Sequence, residues 1–159
     1  MTKVAKMESH AGQWTPYGKG LIAQSMLAKG RSFVAAAVLL RQRGGYEYVT
    51  LHLLCQGIEV LGKGYLLSVA YDKHHPQLKR YGHNLMKIAE LVEGASSIRI
   101  FKPAIRAELQ TLSGLYAQHL LRYGSGYDVL VDATTIPSKK VLIRVAALLR
   151  LQAKHARGI

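Results

Sequence analysis

The stretch YEYVTLHLLCQGIEVLGKGYLLSVA, residues 46–70, decides the fold class. Apolar residues stand on almost every side of a helix drawn through it, which is typical of a helix buried all round. Its β-branched residues would also suit a strand, but 25 residues without a proline favour a helix. The sequence therefore predicts a long and mostly buried central helix.

Shorter helical patterns flank the central one and are bounded by residues that favour helix ends. They cover residues 21–29, 33–41, 85–92, 104–122 and 139–154. Ser32, Asn84 and Ser138 suit N-caps, and Pro103 suits a first turn. Gly94 suits the end of the helix that Asn84 begins. The chain is therefore predicted to be all-α, an up-and-down bundle of five to six helices in one domain, residues 1–159.

Basic residues dominate the charge of this 159-residue chain. Lys and Arg number 22 against 9 acids, which gives a formal net charge of +13, while 49% of the residues are hydrophobic. That hydrophobic fraction excludes a disordered chain. The positive charge attracts polyanions, and RNA or DNA is the partner it favours. A membrane surface or an acidic protein would also satisfy the charge, and a basic protein without a polyanion partner is the remaining alternative.

Several broad classes are excluded by simple counts. The single cysteine cannot form an internal disulfide framework, which fits a reducing compartment. The longest run without an acid, lysine or arginine is residues 109–121, which is too short to span a bilayer. The first residues contain no apolar signal region. We therefore expect a soluble, cytoplasmic protein that does not associate with a membrane.

Three short motifs resemble those of HEPN-domain proteins. The matching residues are Ile58, Glu59, Leu61, Lys63 and Gly64 in the central helix, then His83, Asn84 and Leu85, and later Arg122, Tyr123 and Gly124. The family pattern has an apolar helix with an Ile-Glu-x-Leu-x-Lys-Gly-like spacing, followed by His-Asp-Leu and a leucine-rich helix. Glu59 and Lys63 also stand at i and i+4, the order that favours an ion pair within a helix. Asn84 stands where Asp is commoner in the family. The matched motifs cover about half of the chain.

The resemblance implies a helical bundle that commonly forms a homodimer. Such proteins occur as RNA-processing toxins of toxin–antitoxin modules, in phage defence, and as partners of minimal nucleotidyltransferases. Active members resemble one another in an Arg-x(4–6)-His motif, and Arg150 with His155 has that spacing here. This pair stands in the last residues, whereas the family places the motif near the start of its final helix. Arg80 and His83 are too close together to match.

Three functions follow from the resemblance and the charge. The first is RNA binding through a basic face, in a toxin or phage-defence module. The second is a non-catalytic adaptor for an acidic protein such as a minimal nucleotidyltransferase. The third is a metal-independent ribonuclease that uses Arg150 and His155, because histidine can transfer a proton to or from the 2′-hydroxyl while arginine holds the phosphate.

Two groups of basic residues are candidates for contact with nucleic acid. The first lies in a stretch without acids between Lys73 and Ala89, and the second lies on one face of the last predicted helix. Their members are Lys79, Arg80, His83 and Lys87, and then Lys140, Arg144 and Lys154. Tyr81 and Tyr123, each within an Arg-Tyr-Gly triplet, could stack on bases. Alternatively, these cations form solvated faces and the tyrosines cover the ends of the bundle.

Two other constellations carry weaker chemistry. The first contains one carboxylate and three imidazoles, which are side chains that commonly bind metal ions: Asp72, His74, His75 and His83. Their spacing matches no familiar metal site. Cys55 follows His52 by three residues, yet it lies in the most apolar helix and is interpreted as packing. We therefore expect neither a metal nor a cofactor.

Overall fold

The computed structural model describes residues 14–123 and 126–156, with side chains as far as Arg150. Helices make up 81% of the structure, and the described residues contain no β-strand. The α-helices are α1 (Pro16–Gln42), α2 (Glu47–His74), α3 (Leu78–Tyr81), α4 (Leu85–Ser96), α5 (Pro103–Ala117), α6 (Gly126–Leu130) and α7 (Lys139–Ala156). The predicted all-α bundle is confirmed.

The central helix predicted from residues 46–70 is α2. Leu51, Leu54 and Leu66 on this helix are fully buried in the hydrophobic core. The backbone leaves helical geometry at Ala70, with φ −152° and ψ 78°, where the predicted helix ends. Helical turns resume beyond this kink as far as His74, so the predicted end marks a bend rather than a stop.

Close packing of α1 against α2 corrects one prediction. The sequence predicted a helix end at Gly30 and a cap at Ser32, but α1 runs unbroken through both. A Cβ on Gly30 would lie 2.8 Å from the backbone nitrogen of Leu61. The Ser32 hydroxyl donates a hydrogen bond to the Ala28 carbonyl within the helix, at 3.0 Å. Gly30 therefore serves the approach of two helices, and the predicted break is wrong.

The helices α4 and α5 begin where the sequence predicts. The Asn84 side chain accepts a hydrogen bond from the Lys87 amide at 3.0 Å, and Pro103 is the first residue of α5. Their ends differ from the prediction. The helix α4 continues through Gly94 to Ser96, whereas α5 stops at Ala117, before the predicted end at residue 122. Soon after α5, His119 adopts a left-handed backbone conformation with φ +59°.

A carboxylate of α5 caps the last helix. Glu108 accepts hydrogen bonds from the amides of Lys140 and Val141, at 2.9 and 3.2 Å. Ser138 directly precedes α7 as predicted, and its hydroxyl accepts a hydrogen bond from Arg41 of α1 at 2.8 Å. Val141 is fully buried. The apolar side of α7 therefore packs on the bundle while its N-terminus is tied to α5.

One stretch, Glu47–Tyr81, is long and apolar enough by length and composition to cross a membrane. In its most apolar window, 44% of the residues are buried inside the protein. The core helix of a soluble bundle has these same properties.

Candidate functional site

A buried carboxylate on α2 organises the polar site of this protein. The side chain of Glu59 is only 9% exposed, although it lies on the most apolar helix. Burying a carboxylate is costly unless hydrogen bonds and charges compensate for the lost water. The partners of Glu59 come from three parts of the chain: α2 itself, the α3–α4 junction and α5.

Lys63 connects Glu59 to the junction between α3 and α4. Its ammonium donates to Glu59 Oε1 at 2.6 Å and to the Gly82 carbonyl at 2.8 Å. Gly82 has φ +54° and ψ −139°, a conformation that is essentially restricted to glycine. The predicted i, i+4 ion pair thus also holds the backbone immediately before His83.

His83 is the second partner of Glu59. Its Nδ1 lies 2.9 Å from Glu59 Oε2, and its side chain is 38% exposed. An ionised carboxylate only accepts hydrogen bonds, so we assign the proton of this contact to Nδ1. In the neutral ring the lone pair then lies on Nε2, the nitrogen that can take a proton from a bound molecule.

Tyr116 of α5 is the third partner. It is 3% exposed, and its hydroxyl lies close enough to Glu59 to help lower the pKa of that carboxylate. Burial raises the pKa of Tyr116, and the Glu59 carboxylate raises it further. Burial alone would raise the pKa of Glu59, but the hydrogen bonds from His83 and Lys63, together with the nearby Tyr116 hydroxyl, outweigh it and the pKa is lowered. The carboxylate therefore stays ionised at neutral pH.

A second histidine lies against the first. The ring centroids of His83 and His119 are 5.3 Å apart, with the planes at 76°, and His119 is exposed. We call these two residues the histidine pair. Tyr116 also contacts His83 edge to face, at 5.4 Å. Neutral and protonated imidazoles can each transfer a proton near neutral pH, so two in contact can serve as an acid and a base.

Arg122 and Tyr123 follow the histidine pair in the turn after α5. Tyr123 is 63% exposed, and its ring lies 6.4 Å from that of His119. The Arg122 guanidinium lies 6.0 Å from the centre of the Tyr123 ring. Arg122 is also near enough to His52 to lower its pKa, after the larger effect of burial. The site thus has an exposed aromatic and a cation at its edge.

The first group of predicted binding residues lies on the two helices that flank His83 in the chain. Lys79 and Arg80 lie exposed on α3, and Lys87 lies exposed in the first turn of α4. We call these three residues the α3–α4 cations. His83 stands between them in the chain. Tyr81, by contrast, is partly buried and its hydroxyl is hydrogen-bonded to His74 Nδ1 at 2.9 Å, so its hydroxyl is engaged inside the protein.

The second predicted group has different neighbours. The Arg144 side chain donates to the Ile100 carbonyl at 2.8 Å, and the Lys140 ammonium lies 4.0 Å from Glu108. Both thus contact α5 or the segment before it. Arg150 is exposed on α7, but the side chains of Lys154 and His155 lie outside the described residues. The structure does not bring Arg144 to the histidine pair.

The residues weighed as metal ligands have separate partners. Asp72 pairs with Lys19, His75 stacks on Tyr71 at 4.8 Å, and His74 and His83 bond as described above. Within the part of the chain that the structure describes, no three potential ligands form a group suited to a metal ion.

Cys55 is fully buried in α2. Burial raises the pKa of its thiol, and the charge of Glu59 adds to this effect. The thiol therefore stays protonated, and its interpretation as packing is confirmed.

Sequence reasoning assigned Glu59 to an ordinary helical ion pair and gave no role to Tyr116 or His119. The hydrogen bond between Glu59 and His83 joins residues 24 positions apart. Glu59 could have been noticed as an acid within an almost uniformly apolar helix, because such an acid requires partners. His119 offers no comparable signal, since its position depends on where α5 ends.

Comparisons with protein-family models, with curated proteins and with solved structures give no match to this chain. The HEPN-like resemblance, the homodimer and the toxin or phage-defence setting therefore remain predictions. Two of the three motifs that carry the resemblance nevertheless meet in space, because Glu59 and Lys63 contact His83 and Gly82.

Proposed function

We propose that this protein binds RNA at the surface formed by the α3–α4 cations, the histidine pair and Tyr123. The observation that carries the proposal is that these exposed cations lie on α3 and in the first turn of α4, on either side of His83 in the chain. No acid occurs in residues 74–89, so nothing within that stretch offsets their charge. Phosphate groups are the ligands for such a surface, and they account for most of the affinity of proteins for nucleic acids.

The aromatic groups favour a nucleic acid over an acidic protein. Tyr123 is 63% exposed and continues the row of rings formed by His83 and His119. Single-stranded nucleic acids are bound by such a combination, in which cations contact the backbone and aromatic rings stack on bases. An acidic protein would use the cations but leave the rings without a role.

Two charge-reversal variants test this surface. The first replaces Lys79, Arg80 and Lys87 with Glu. The matched control replaces Lys29, Arg31 and Arg43, which are exposed on or next to α1. Each reversal changes the charge by two, so each triple variant lowers the net charge of +13 by six. Binding to a labelled single-stranded RNA of about 20 nucleotides is measured by fluorescence anisotropy at several salt concentrations.

We expect the first variant to bind at least about tenfold more weakly, because three phosphate contacts are lost. The control should change the dissociation constant by no more than about threefold, through long-range charge alone. Equal weakening by both variants would show that general charge, and not this surface, holds the RNA. Absence of binding by the unmodified protein would overturn the proposal, and co-purification of an acidic protein would then favour the adaptor function.

A further inference from the structure

We propose that the histidine pair is an acid–base site that cleaves bound RNA beside a 2′-hydroxyl. In this assignment His83 is the base, His119 is the acid, and Glu59 is a positioning residue that acts through His83. The proposal rests on the proposed RNA binding. It places the chemistry at α2, the α3–α4 junction and the turn after α5, and not at Arg150 and His155.

The assignment of the base follows from the hydrogen bond at Nδ1. Glu59 accepts a hydrogen bond from His83 Nδ1–H at 2.9 Å and is itself held by Lys63. This arrangement fixes both the tautomer and the orientation of the imidazole. The side chain of His83 is 38% exposed, so a substrate can approach the ring.

The end of α5 places the ring of His119. The residue has φ +59°, the left-handed conformation that commonly follows the last residues of a helix. Hydrogen bonds of the turn hold it there, from the His119 amide to the Tyr116 carbonyl and from the Leu120 amide to the Leu115 carbonyl, both at 3.1 Å. In this conformation the exposed His119 ring lies against His83.

The proposed reaction is a transesterification in which the 2′-hydroxyl is the nucleophile, so it consumes no water and needs no redox partner. His83 Nε2 takes the proton of the 2′-hydroxyl, and the 2′-oxygen attacks the adjacent phosphorus. The bond from phosphorus to the 5′-oxygen breaks, and protonated His119 gives its proton to that oxygen. The products are a 2′,3′-cyclic phosphate and a 5′-hydroxyl. After the reaction His83 carries an additional proton and His119 has lost one. Proton exchange with solvent restores the starting forms.

A cation near the reacting phosphate would stabilise the charge that builds up on its oxygens. Arg122 is placed for this role, since its guanidinium lies by Tyr123 and its charge reaches His52 and Tyr116. Lys63 is 12% exposed and already bonded to Glu59 and Gly82. Lys63 therefore supports the site, whereas Arg122 is free to face a bound phosphate from the surface.

The test uses the full chain with 5′-labelled RNA in EDTA, under single-turnover conditions. His119→Asn keeps a residue that tolerates a left-handed backbone, and His83→Asn keeps an amide able to donate to Glu59. His75→Asn is the matched control, because His75 is exposed outside the site. Binding is measured in parallel with a DNA strand of the same sequence, which lacks the reacting hydroxyl.

We expect unmodified protein and His75→Asn to produce cyclic-phosphate ends at equal rates. Each variant of the histidine pair should cleave about 10²- to 10⁴-fold more slowly, the range for loss of one acid or base. Affinity for the DNA strand should change by less than about threefold, since the cations remain. Glu59→Gln should lower the cleavage rate while leaving that affinity unchanged. His119→Gly should regain activity when imidazole is added, which a purely structural role would not allow.

Three results would overturn the assignment. Bound but uncleaved RNA would remove the acid–base site and leave the RNA-binding proposal standing. Cleavage that persists in both variants of the histidine pair and disappears in His155→Asn would transfer the chemistry to the Arg150–His155 motif. Failure to bind either strand would remove the RNA-binding proposal together with this one.

Discussion

The two sides of α2 pack against their neighbours in different ways. Towards α1, Gly57 and Gly64 bring the helices so close that an added Cβ would meet backbone nitrogens of α1 at 3.1 Å. Towards α4 and α5, Glu59 and Lys63 bury charges and compensate for them with hydrogen bonds. The first side is therefore sensitive to added atoms, whereas the second is sensitive to lost partners. Both sides come from one almost uniformly apolar stretch of sequence.

Gly30→Ala should give the largest loss of stability, because it adds an atom to the packing side. The new Cβ would lie 2.8 Å from the Leu61 nitrogen and 2.7 Å from its Cγ. A backbone nitrogen cannot move as the end of a flexible side chain can, so α1 and α2 must separate. We expect the free energy of unfolding, measured in urea, to fall by about 2–3 kcal/mol.

Gly20→Ala is the matched control on the same helix. No atom lies within 4 Å of a Cβ at that position. Alanine favours helix formation over glycine, so the free energy of unfolding should rise by up to about 1 kcal/mol. Equal stabilisation by both substitutions would show that the contact between α1 and α2 is not tight and would break the comparison.

Glu59→Gln should cost less at neutral pH and should show a distinct pH dependence. Loss of the charged acceptor weakens the bonds from Lys63 and His83, by about 2 kcal/mol in total. The pKa of Glu59 is lowered from its ordinary 4.5, so the ionised carboxylate contributes its full stability above that value. As the pH falls through the lowered pKa, that contribution is lost.

The measurement is urea unfolding of the unmodified protein and Glu59→Gln at pH 7 and at pH 3. The difference between the two should be largest at pH 7 and smaller at pH 3. Glu90→Gln is the control. The side chain of Glu90 is 56% exposed, and its ion pair with Arg106 is long, at 3.8 Å. It should change stability by less than about 1 kcal/mol at pH 7. A pH-independent cost at Glu59 would contradict the lowered pKa.

The parts of the fold that were predictable depend on neighbours along the chain. The apolar pattern of α2, the Asn84 cap and the Pro103 start each involve a few consecutive residues. The role of Gly30 depends on Leu61, which lies on another helix, so the same glycine was interpreted as a helix end. The carboxylate that caps α7 belongs to Glu108. It lies 32 residues before Lys140, whose amide donates a hydrogen bond to it. No local pattern contains that information.

The candidate site also contains one part that the sequence predicted and another part that it did not predict. The Glu59–Lys63 pair was predictable from its i, i+4 spacing, and His83 was singled out among the basic residues. Their meeting was not predictable, since it requires α2 and the α3–α4 junction to pack together. Tyr116 and His119 join only because α5 ends at Ala117 and the chain turns there. Because the sequence pattern predicted α5 to continue to residue 122, it did not indicate the turn at His119.

Tyr116→Phe tests the polar side with a smaller change. It removes one hydroxyl from a buried ring and leaves the packing of that ring intact. Loss of the polar interaction between this hydroxyl and the Glu59 carboxylate should cost about 1 kcal/mol. The hydroxyl helps to lower the pKa of Glu59, so its removal should bring that pKa closer to the ordinary 4.5. The loss of stability with falling pH should then be smaller and should be complete at a higher pH. Tyr17→Phe, at an exposed ring, should leave both quantities unchanged.

Lys87→Ala should have the smallest effect on stability and still change RNA binding. Lys87 is exposed, and its amide rather than its ammonium bonds to Asn84, so the cap survives the substitution. We expect the free energy of unfolding to change by less than about 0.5 kcal/mol. The slope of log affinity against log salt should become shallower by about 0.7, the value for one contact with a single-stranded phosphate. Lys29→Ala, on α1, should leave the slope unchanged. Because the slope counts displaced ions, it separates a phosphate contact at Lys87 from a general loss of charge, which both lysine variants share.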